Sequence, residues 1–284
     1  MRICLFWNET AGAGISHHDL LALLERSGHS VVRTVDDVAD LPDMNVDCVV
    51  AAGGDGTVAR AARALAGEAL PLAILPLGTA NNIANSLGLS GSVEQLVSRW
   101  HQEQVAAIDL GVITCGKTTS YFIESVGCGL AASCIEEGRA TLSKDDPDTH
   151  LEHALDLYVE TLRRIPTRRY AIKLDDEEIE GEFLLVEVLN TPSIGPQLAF
   201  AADANIADGF FSVVAASESD RASIAAYVAA ARNQTAANAG LRSWPARKIE
   251  ITGADRFHID DRVTAAEGAS IQIEIHPAAL SILA

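Results

Sequence analysis

Basic residues are scarce in this chain. Its 284 residues carry 21 Lys and Arg against 39 Asp and Glu, a formal net charge of −18 at pH 7. A surface of that sign repels polyanions, so general nucleic-acid binding is excluded. Long apolar runs are also missing. The most apolar stretches, Ala69 to Ala80 and Ser223 to Ala231, stop short of the ~18 residues that a membrane span needs. The opening MRICLFWNET has no long apolar core of the signal-peptide kind, so a soluble, cytoplasmic protein is expected. Cysteine is sparse and odd in number: Cys4, Cys48, Cys115, Cys128 and Cys134 include no C-x-x-C pair and read as reduced core or half-buried thiols rather than a disulfide framework. No G-x-x-x-x-G-K-[ST] phosphate loop occurs, and the Gly12-x-Gly14 pair meets His17 where a dinucleotide fingerprint needs its third small residue. His150 and His153 flank Glu152 without the H-E-x-x-H order of a zinc site and read as a solvated helix end.

What is present is core-forming material: 48% of the residues are hydrophobic and 21% charged, which excludes disorder, collagen and a disulfide-stapled miniprotein. Up to about residue 104, short apolar runs (Arg2 to Trp7, Ser30 to Val35, Val46 to Ala52, Leu72 to Leu75) alternate with helical stretches (Ser16 to Arg26, Thr57 to Ala66, Ala80 to Leu87, Ser92 to His101). Strands returned by crossover helices form a parallel sheet. From about Gln104 the rhythm changes to strand-length runs: Ala106 to Thr114, Thr119 to Val126, Tyr170 to Leu174, Glu182 to Leu189, Phe210 to Ala215, Lys248 to Thr252, Arg256 to Ile259 and Ser270 to Ile275. Helices are expected at Thr149 to Ile165 and Ser219 to Asn233. The fold class is therefore α/β, with an N-terminal parallel-sheet domain (1–104) and a C-terminal antiparallel β domain (105–284).

In an open parallel sheet, ligands bind beyond the carboxyl ends of the strands. GGDGT, Gly53 to Thr57, stands where a buried strand meets a helix. Its glycines let backbone N–H groups approach a phosphate, and Thr57 is placed to cap the helix. A tight turn that uses glycine for geometry alone is the alternative. Asp55 favours the phosphate reading only with a cation present, because a bare carboxylate beside a phosphate is repelled by about 4 kcal/mol at 4 Å and intermediate dielectric. With Mg²⁺ between them it becomes a metal or metal-water ligand; otherwise it bonds the turn backbone. PLGTANNIA, Pro76 to Ala84, repeats the design after the next strand, with Thr79, Asn81 and Asn82 at a helix start. NETAGAG, Asn8 to Gly14, adds backbone donors to the same edge.

GGDGT, PLGTANNIANSLGL and the later NTPSIGPQLAFAADANIADGFFSVV (Asn190 to Val214) together resemble the diacylglycerol kinase catalytic-domain family, especially its small soluble bacterial lipid kinases. GGDGT alone is shared with the related NAD kinases and sphingosine kinases. The resemblance implies a nucleotide-binding α/β domain, a C-terminal β-sandwich and an ATP site in the cleft between them. It places Asn8, Thr10, Thr34, Gly53, Gly54, Asp55, Gly56, Thr57, Thr79 and Asn81 at ATP, with Asp55 organising Mg²⁺–ATP. It matches Asn205, Asp208 and the backbone of Phe210 to a second, structural magnesium site; an ordinary strand-entry turn is the alternative there.

The sequence departs from the family pattern twice. Ala59 and Arg60 stand where an Asn-Glu pair usually follows GGDGT, and Asp260-Asp261-Arg262 replaces the D-G-E element whose glutamate is the expected base. Arginine cannot be a base. The proton then goes to Asp260 or Asp261, to Glu267 from a shifted loop, or to no protein group, since phosphoryl transfer depends mainly on positioning and charge neutralisation. The expected function is an ATP- and Mg²⁺-dependent kinase acting on a hydroxyl of a lipid such as diacylglycerol or of a lipid-like alcohol. The alternatives are a catalytically weakened nucleotide-binding or regulatory protein and a kinase of NAD or another soluble polyol. The cluster Arg163, Arg164, Arg168 and Arg169 reads as a helix end paired with acids such as Asp175 to Glu178. Peripheral membrane contact is the most this pattern allows, and a homodimer stays open.

Overall fold

The computed structural model describes residues 1–8, 15–41, 45–100, 105–141, 147–232 and 238–283. The first domain is built from β1 (Arg2–Trp7), α1 (His17–Arg26), β2 (Ser30–Val35), β3 (Cys48–Gly53), α2 (Asp55–Ala64), β4 (Leu72–Pro76), α3 (Asn82–Ser86) and α4 (Val93–Arg99). Its strands lie parallel in the order β4-β3-β1-β2. Strands buried on both faces read as continuous apolar runs, and β3 (CVVAAG) is buried at every position. Capping follows the sequence: Ser16 accepts from Asp19 N, and Ser92 forms a capping box with Gln95.

The second domain follows with β5 (Val105–Cys115), β6 (Thr118–Phe122), β7 (Ser125–Gly129), α5 (Leu130–Thr141), α6 (Pro147–Arg164), β8 (Arg168–Leu174), β9 (Glu177–Leu189), the short pair β10 (Ser193–Ile194) and β11 (Leu198–Ala199), then β12 (Phe211–Ser217), α7 (Arg221–Ala231), β13 (Ser243–Ala246), β14 (Lys248–Thr252), β15 (Arg256–Ile259), β16 (Arg262–Ala265) and β17 (Ile271–Leu283). Apart from the parallel β17–β4 contact, its described strand pairs are antiparallel. Val186 and Val188 of β9 face a core shared with Ile172, Phe211, Ile251 and Ile273, the interior of the β-sandwich. Leu185 and Leu189 point the other way, into a second core with Leu130, Leu155, Leu162 and Val228 of α5, α6 and α7. Period-two alternation on one long strand therefore holds a sandwich on one side and a helical layer on the other.

The expected strand over Thr119 to Val126 is two strands, because the chain breaks at Ile123 and Glu124 between β6 and β7. Helix α5 stands where no helix was expected. The chain also returns to the first domain at its end: Ile282 and Leu283 pair in parallel with Leu72 and Ala73 of β4, and Leu280 and Ile282 join the first domain's core. The parallel sheet and the sandwich are thus stitched by a continuous ladder of hydrogen bonds, and the loops after β3 and β4 face α5, α6 and the β15–β16 turn. None of the five cysteines is in a disulfide. No helix among the described residues is long and apolar enough to cross a membrane.

Candidate functional site

The two motif loops are packed backbone to backbone. A Cβ on Gly78 would meet the Cα of Gly54, and Leu77 N donates to Gly53 O at 3.0 Å. Helix α2 begins at Asp55 with Gly54 as its N-cap, so the expectation that Thr57 caps it is corrected. The helix starts two residues earlier and carries the Thr57 hydroxyl inside. Thr57 fills the space a side chain on Gly53 would need, and its Oγ1 accepts from Asn8 Nδ2 at 3.2 Å. Asn81 has a left-handed backbone (φ 51°). Its side chain turns back on its own loop, accepting from Gly78 N at 3.0 Å and donating to Gly78 O at 2.7 Å. The cap of α3 comes instead from Asp55, whose Oδ1 accepts from Ile83 N at 2.9 Å. Burial pushes the Asp55 carboxyl above its ordinary value, against the pull of the backbone N–H groups around it.

Beyond these loops lies a cavity of about 480 Å³ between the domains, within the size range of small-molecule sites. Four carboxylates line one part of it: Asp55, Glu124, Asp260 and Asp261. The rest is largely apolar, with Ile135 of α5, Leu151 and Leu157 of α6, and Ile194 and Pro196 beside them. Gly56 and Thr79 also line it, whereas Gly53, Gly54, Thr57, Asn8 and Asn81 stand behind the lining and shape it.

Asp260 and Asp261 form the two-residue turn between β15 and β16 and have opposite surroundings. Asp260 adopts φ 49°, and its side chain is 1% exposed. Its Oδ1 accepts from the N–H groups of Ile123, Glu124 and Ser125 at 3.2, 2.9 and 3.4 Å, and its Oδ2 is 2.7 Å from Arg63 Nη1 of α2. Burial raises its carboxyl, while Arg63 and the N–H groups pull it back. Every oxygen of Asp260 is therefore committed to structure. The Asp261 side chain is 49% exposed, faces Arg139 at 3.5 Å, and its Oδ2 would lie 3.1 Å from a Cβ on Gly56. One aspartate pins the turn to both domains, and the other is held over the GGDGT loop.

Beneath the turn, three strands converge on Gly127, which pairs with Glu187 on one side and His258 on the other. The missing Cβ leaves room for the Glu187 carboxylate. Glu187 Oε2 meets His258 Nε2 at 2.9 Å, and His258 Nδ1 meets the Asp260 carbonyl at 3.0 Å. Glu124 accepts from Asn82 Nδ2 at 2.8 Å; burial and the neighbouring Asp55 and Asp260 carboxylates push its carboxyl well above the ordinary range. Sequence reasoning missed Glu124, Arg139, Glu187 and His258. The one local signal was Glu124, an acid inside an apolar run.

Other expected site residues stand elsewhere. Thr34 is exposed near the end of β2, and Thr10 lies outside the described residues. Asn205 Oδ1 accepts from Ala207 N at 3.1 Å, and Asp208 Oδ1 from Phe210 N at 3.0 Å, so each closes its own turn. The Phe210 ring lies under the Arg247 guanidinium at 4.3 Å. Arg60 lies over the Phe6 ring at 4.9 Å, and neither Arg262 nor Glu267 lines the cavity. Arg164, Arg168 and Arg169 pair with Glu137, Asp255 and Glu180 rather than with Asp175 to Glu178; Asp175 accepts from the backbone of Arg247 and Lys248.

A parallel sheet and a β-sandwich enclosing such a cavity define the fold shared by diacylglycerol kinases and NAD kinases. The structure of a diacylglycerol kinase from Bacillus anthracis superposes with a TM-score of 0.76 at 20% identity, covering 99% of this chain and 96% of that one. An NAD kinase from Archaeoglobus fulgidus, solved in complex with ATP, superposes with a TM-score of 0.56 at 14% identity over 100% of this chain and 94% of its own. The sequence then fixes the branch. The chain belongs to the diacylglycerol kinase catalytic-domain family: the diacylglycerol kinase catalytic domain matches residues 2–113, and the YegS C-terminal NAD kinase beta sandwich-like domain matches 143–284. It is similar to the "probable lipid kinase YegS-like" protein of Pectobacterium atrosepticum (29% identity, 86% of this chain and 80% of that one) and to a diacylglycerol kinase of Mycobacterium tuberculosis (28%, 72% and 68%). The chain is accordingly a phosphotransferase of the lipid-kinase type.

Proposed function

We propose that the protein is an ATP- and Mg²⁺-dependent kinase that phosphorylates a hydroxyl of a lipid such as diacylglycerol or of a lipid-like alcohol. The observation that carries this reading is the position of Asp261: an accessible carboxylate above Gly56, in a cavity with acids at one part and apolar side chains along the rest. The apolar walls from α5 and α6 favour an acceptor with a hydrocarbon part, and the acids oppose an anionic one.

No group of three or more metal-ligating side chains closes on a common point among the described residues. That fits Mg²⁺, which is held by one or two carboxylates together with substrate phosphates rather than by an all-protein cage. Asp55 would hold it: its carboxylate lines the cavity, oriented by the N–H of Ile83 on Oδ1. When bound, Mg²⁺ neutralises phosphate charge and so permits carboxylates near the nucleotide. Gly56 and Thr79 bound the phosphate side of the cavity, and Asp261 receives the proton of the acceptor hydroxyl. Asp260 holds the turn and takes no proton.

Purified protein incubated with γ-labelled ATP, Mg²⁺ and dispersed diacylglycerol should place label in the organic-extractable lipid. Asp261→Asn should lower that transfer about 10²- to 10⁴-fold, the usual contribution of a general base, with ATP binding retained. Label passing to NAD instead, or ATP binding without transfer by the native protein, would refute the lipid-kinase reading. Full activity of Asp261→Asn would refute the base.

A further inference from the structure

A transferring phosphoryl group spreads negative charge over three equatorial oxygens, and enzymes that move it supply a cation to meet that charge. The GGDGT and PLGTANN loops contain no Lys or Arg. Of the residues that line the cavity, four are carboxylates and Arg139 is the only Arg or Lys among the described ones. The other arginines near the turn are committed or lie elsewhere. Arg63 is 14% exposed and paired at 2.7 Å with the buried Asp260, while Arg262 is exposed and outside the lining.

Arg139 sits in the last turn of α5, and its side chain is 56% exposed. Its one ion pair among the described residues is with Asp261, at 3.5 Å, between two half-exposed groups. Such a pair contributes little and exchanges readily. Asp261 in turn stands over Gly56, so the guanidinium is one carboxylate removed from the phosphate loop. The wall it projects from also carries the apolar Ile135, on the acceptor side. Arg139 therefore lies between the GGDGT loop and the apolar wall of the cavity.

We propose that Arg139 is a catalytic residue: its guanidinium leaves Asp261 and closes on the γ-phosphoryl group as it passes from ATP to the acceptor. This inference rests on the kinase reading above. In the step, the acceptor oxygen forms the new bond to the γ-phosphorus, the bond to the β–γ bridging oxygen breaks, and ADP leaves with that electron pair. The hydroxyl proton goes to Asp261, whose carboxylate the departing guanidinium has uncovered. The planar fork of Arg139 suits the equatorial oxygens as an ammonium does not.

The test uses ADP, Mg²⁺ and aluminium fluoride, which mimics the planar group in flight and needs no knowledge of the acceptor. The native protein should bind ADP more tightly when aluminium fluoride is present. Arg139→Gln should lose that gain, keep its affinity for ADP alone within about twofold, and melt at the native temperature because the side chain is half exposed. Its kcat for lipid phosphorylation should fall about 10³-fold, the lower end of the range for a catalytic arginine, with the KM for ATP little changed. Arg139→Lys should lie between the two, and added guanidinium ion should restore part of the activity of Arg139→Ala. Retention of both the aluminium fluoride gain and kcat in Arg139→Gln would overturn the proposal while leaving the kinase reading intact. Absence of ADP–aluminium fluoride binding and of lipid transfer in the native protein would remove both together.

Discussion

The two domains face one cavity but build their sides of it differently. The first domain contributes two adjoining loops, whose value lies in backbone: Gly54 against Gly78, Asp55 capping α3, and Gly56 and Thr79 at the surface. The second contributes Glu124, Arg139, His258, Asp260 and Asp261, which are charged or titratable and come from distant points of the chain. The first side is a shape, and the second is a charge arrangement held by ion pairs. Substitutions in the loops should therefore act mainly through packing, and those opposite through uncompensated charge.

The largest expected effect breaks the tie between the sides. Arg63 of α2 reaches across to Asp260, the one ion pair among the described residues that joins the first domain to the turn. Arg63→Met leaves a carboxylate buried with only backbone donors. Removing one partner of a buried pair costs about 3–5 kcal/mol, and urea unfolding followed by far-UV circular dichroism should show a loss of that size. A loss below about 1 kcal/mol, the value of an exposed pair, would mean that the three N–H groups alone hold Asp260 and the domains are joined chiefly by β17.

The next effect belongs to the loops. Gly78→Ala pushes a methyl onto the Cα of Gly54, which is backbone and cannot rotate away. Overpacking of this kind costs about 1–3 kcal/mol. Gly28→Ala is a poor control because its φ is 80°, so the comparison should be with Ala80→Ser on the same loop, which is half-buried. Thermal unfolding of Gly78→Ala should drop clearly below that of Ala80→Ser; equal melting temperatures would show that the loops part freely.

The same contrast explains what could be read from the sequence. The first side was legible because its chemistry is local: GGDGT and PLGTANN are contiguous, and β1 and β2 matched their expected limits. Even there the atomic roles differed, since Gly54 rather than Thr57 begins α2 and Asn81 holds its own loop. Such roles depend on which loop packs against which. The second side was legible only at Asp260 and Asp261, through the family pattern. Helix α5, which carries Arg139, was missed because its buried face uses small residues, Ala131, Ala132, Cys134 and Gly138, and so lacks a strong apolar stripe. His258 and Glu187 meet only because Gly127 separates them on a middle strand, a register fact that a linear reading does not contain.

The smallest effect tests whether that meeting is an ion pair. Both ring nitrogens of His258 face oxygens, Glu187 Oε2 and the Asp260 carbonyl, so each should donate and the ring should be charged. Burial alone would lower its pKa, but the Glu187 carboxylate and the Asp260 carbonyl outweigh burial and hold it above the ordinary value. A raised folded-state pKa gives stability that is complete below the unfolded value of about 6.5 and is lost as pH rises through the folded value. The native protein should therefore lose stability on going from pH 6 towards pH 9, with this group contributing at most about 1.4 kcal/mol per pH unit. Glu187→Gln keeps the shape and can still hydrogen-bond a neutral ring, so its profile should lack this component or slope the other way as burial takes over. Parallel unfolding profiles for the two proteins would show that no proton is held there, and that the turn carrying Asp261 rests on hydrogen bonds alone.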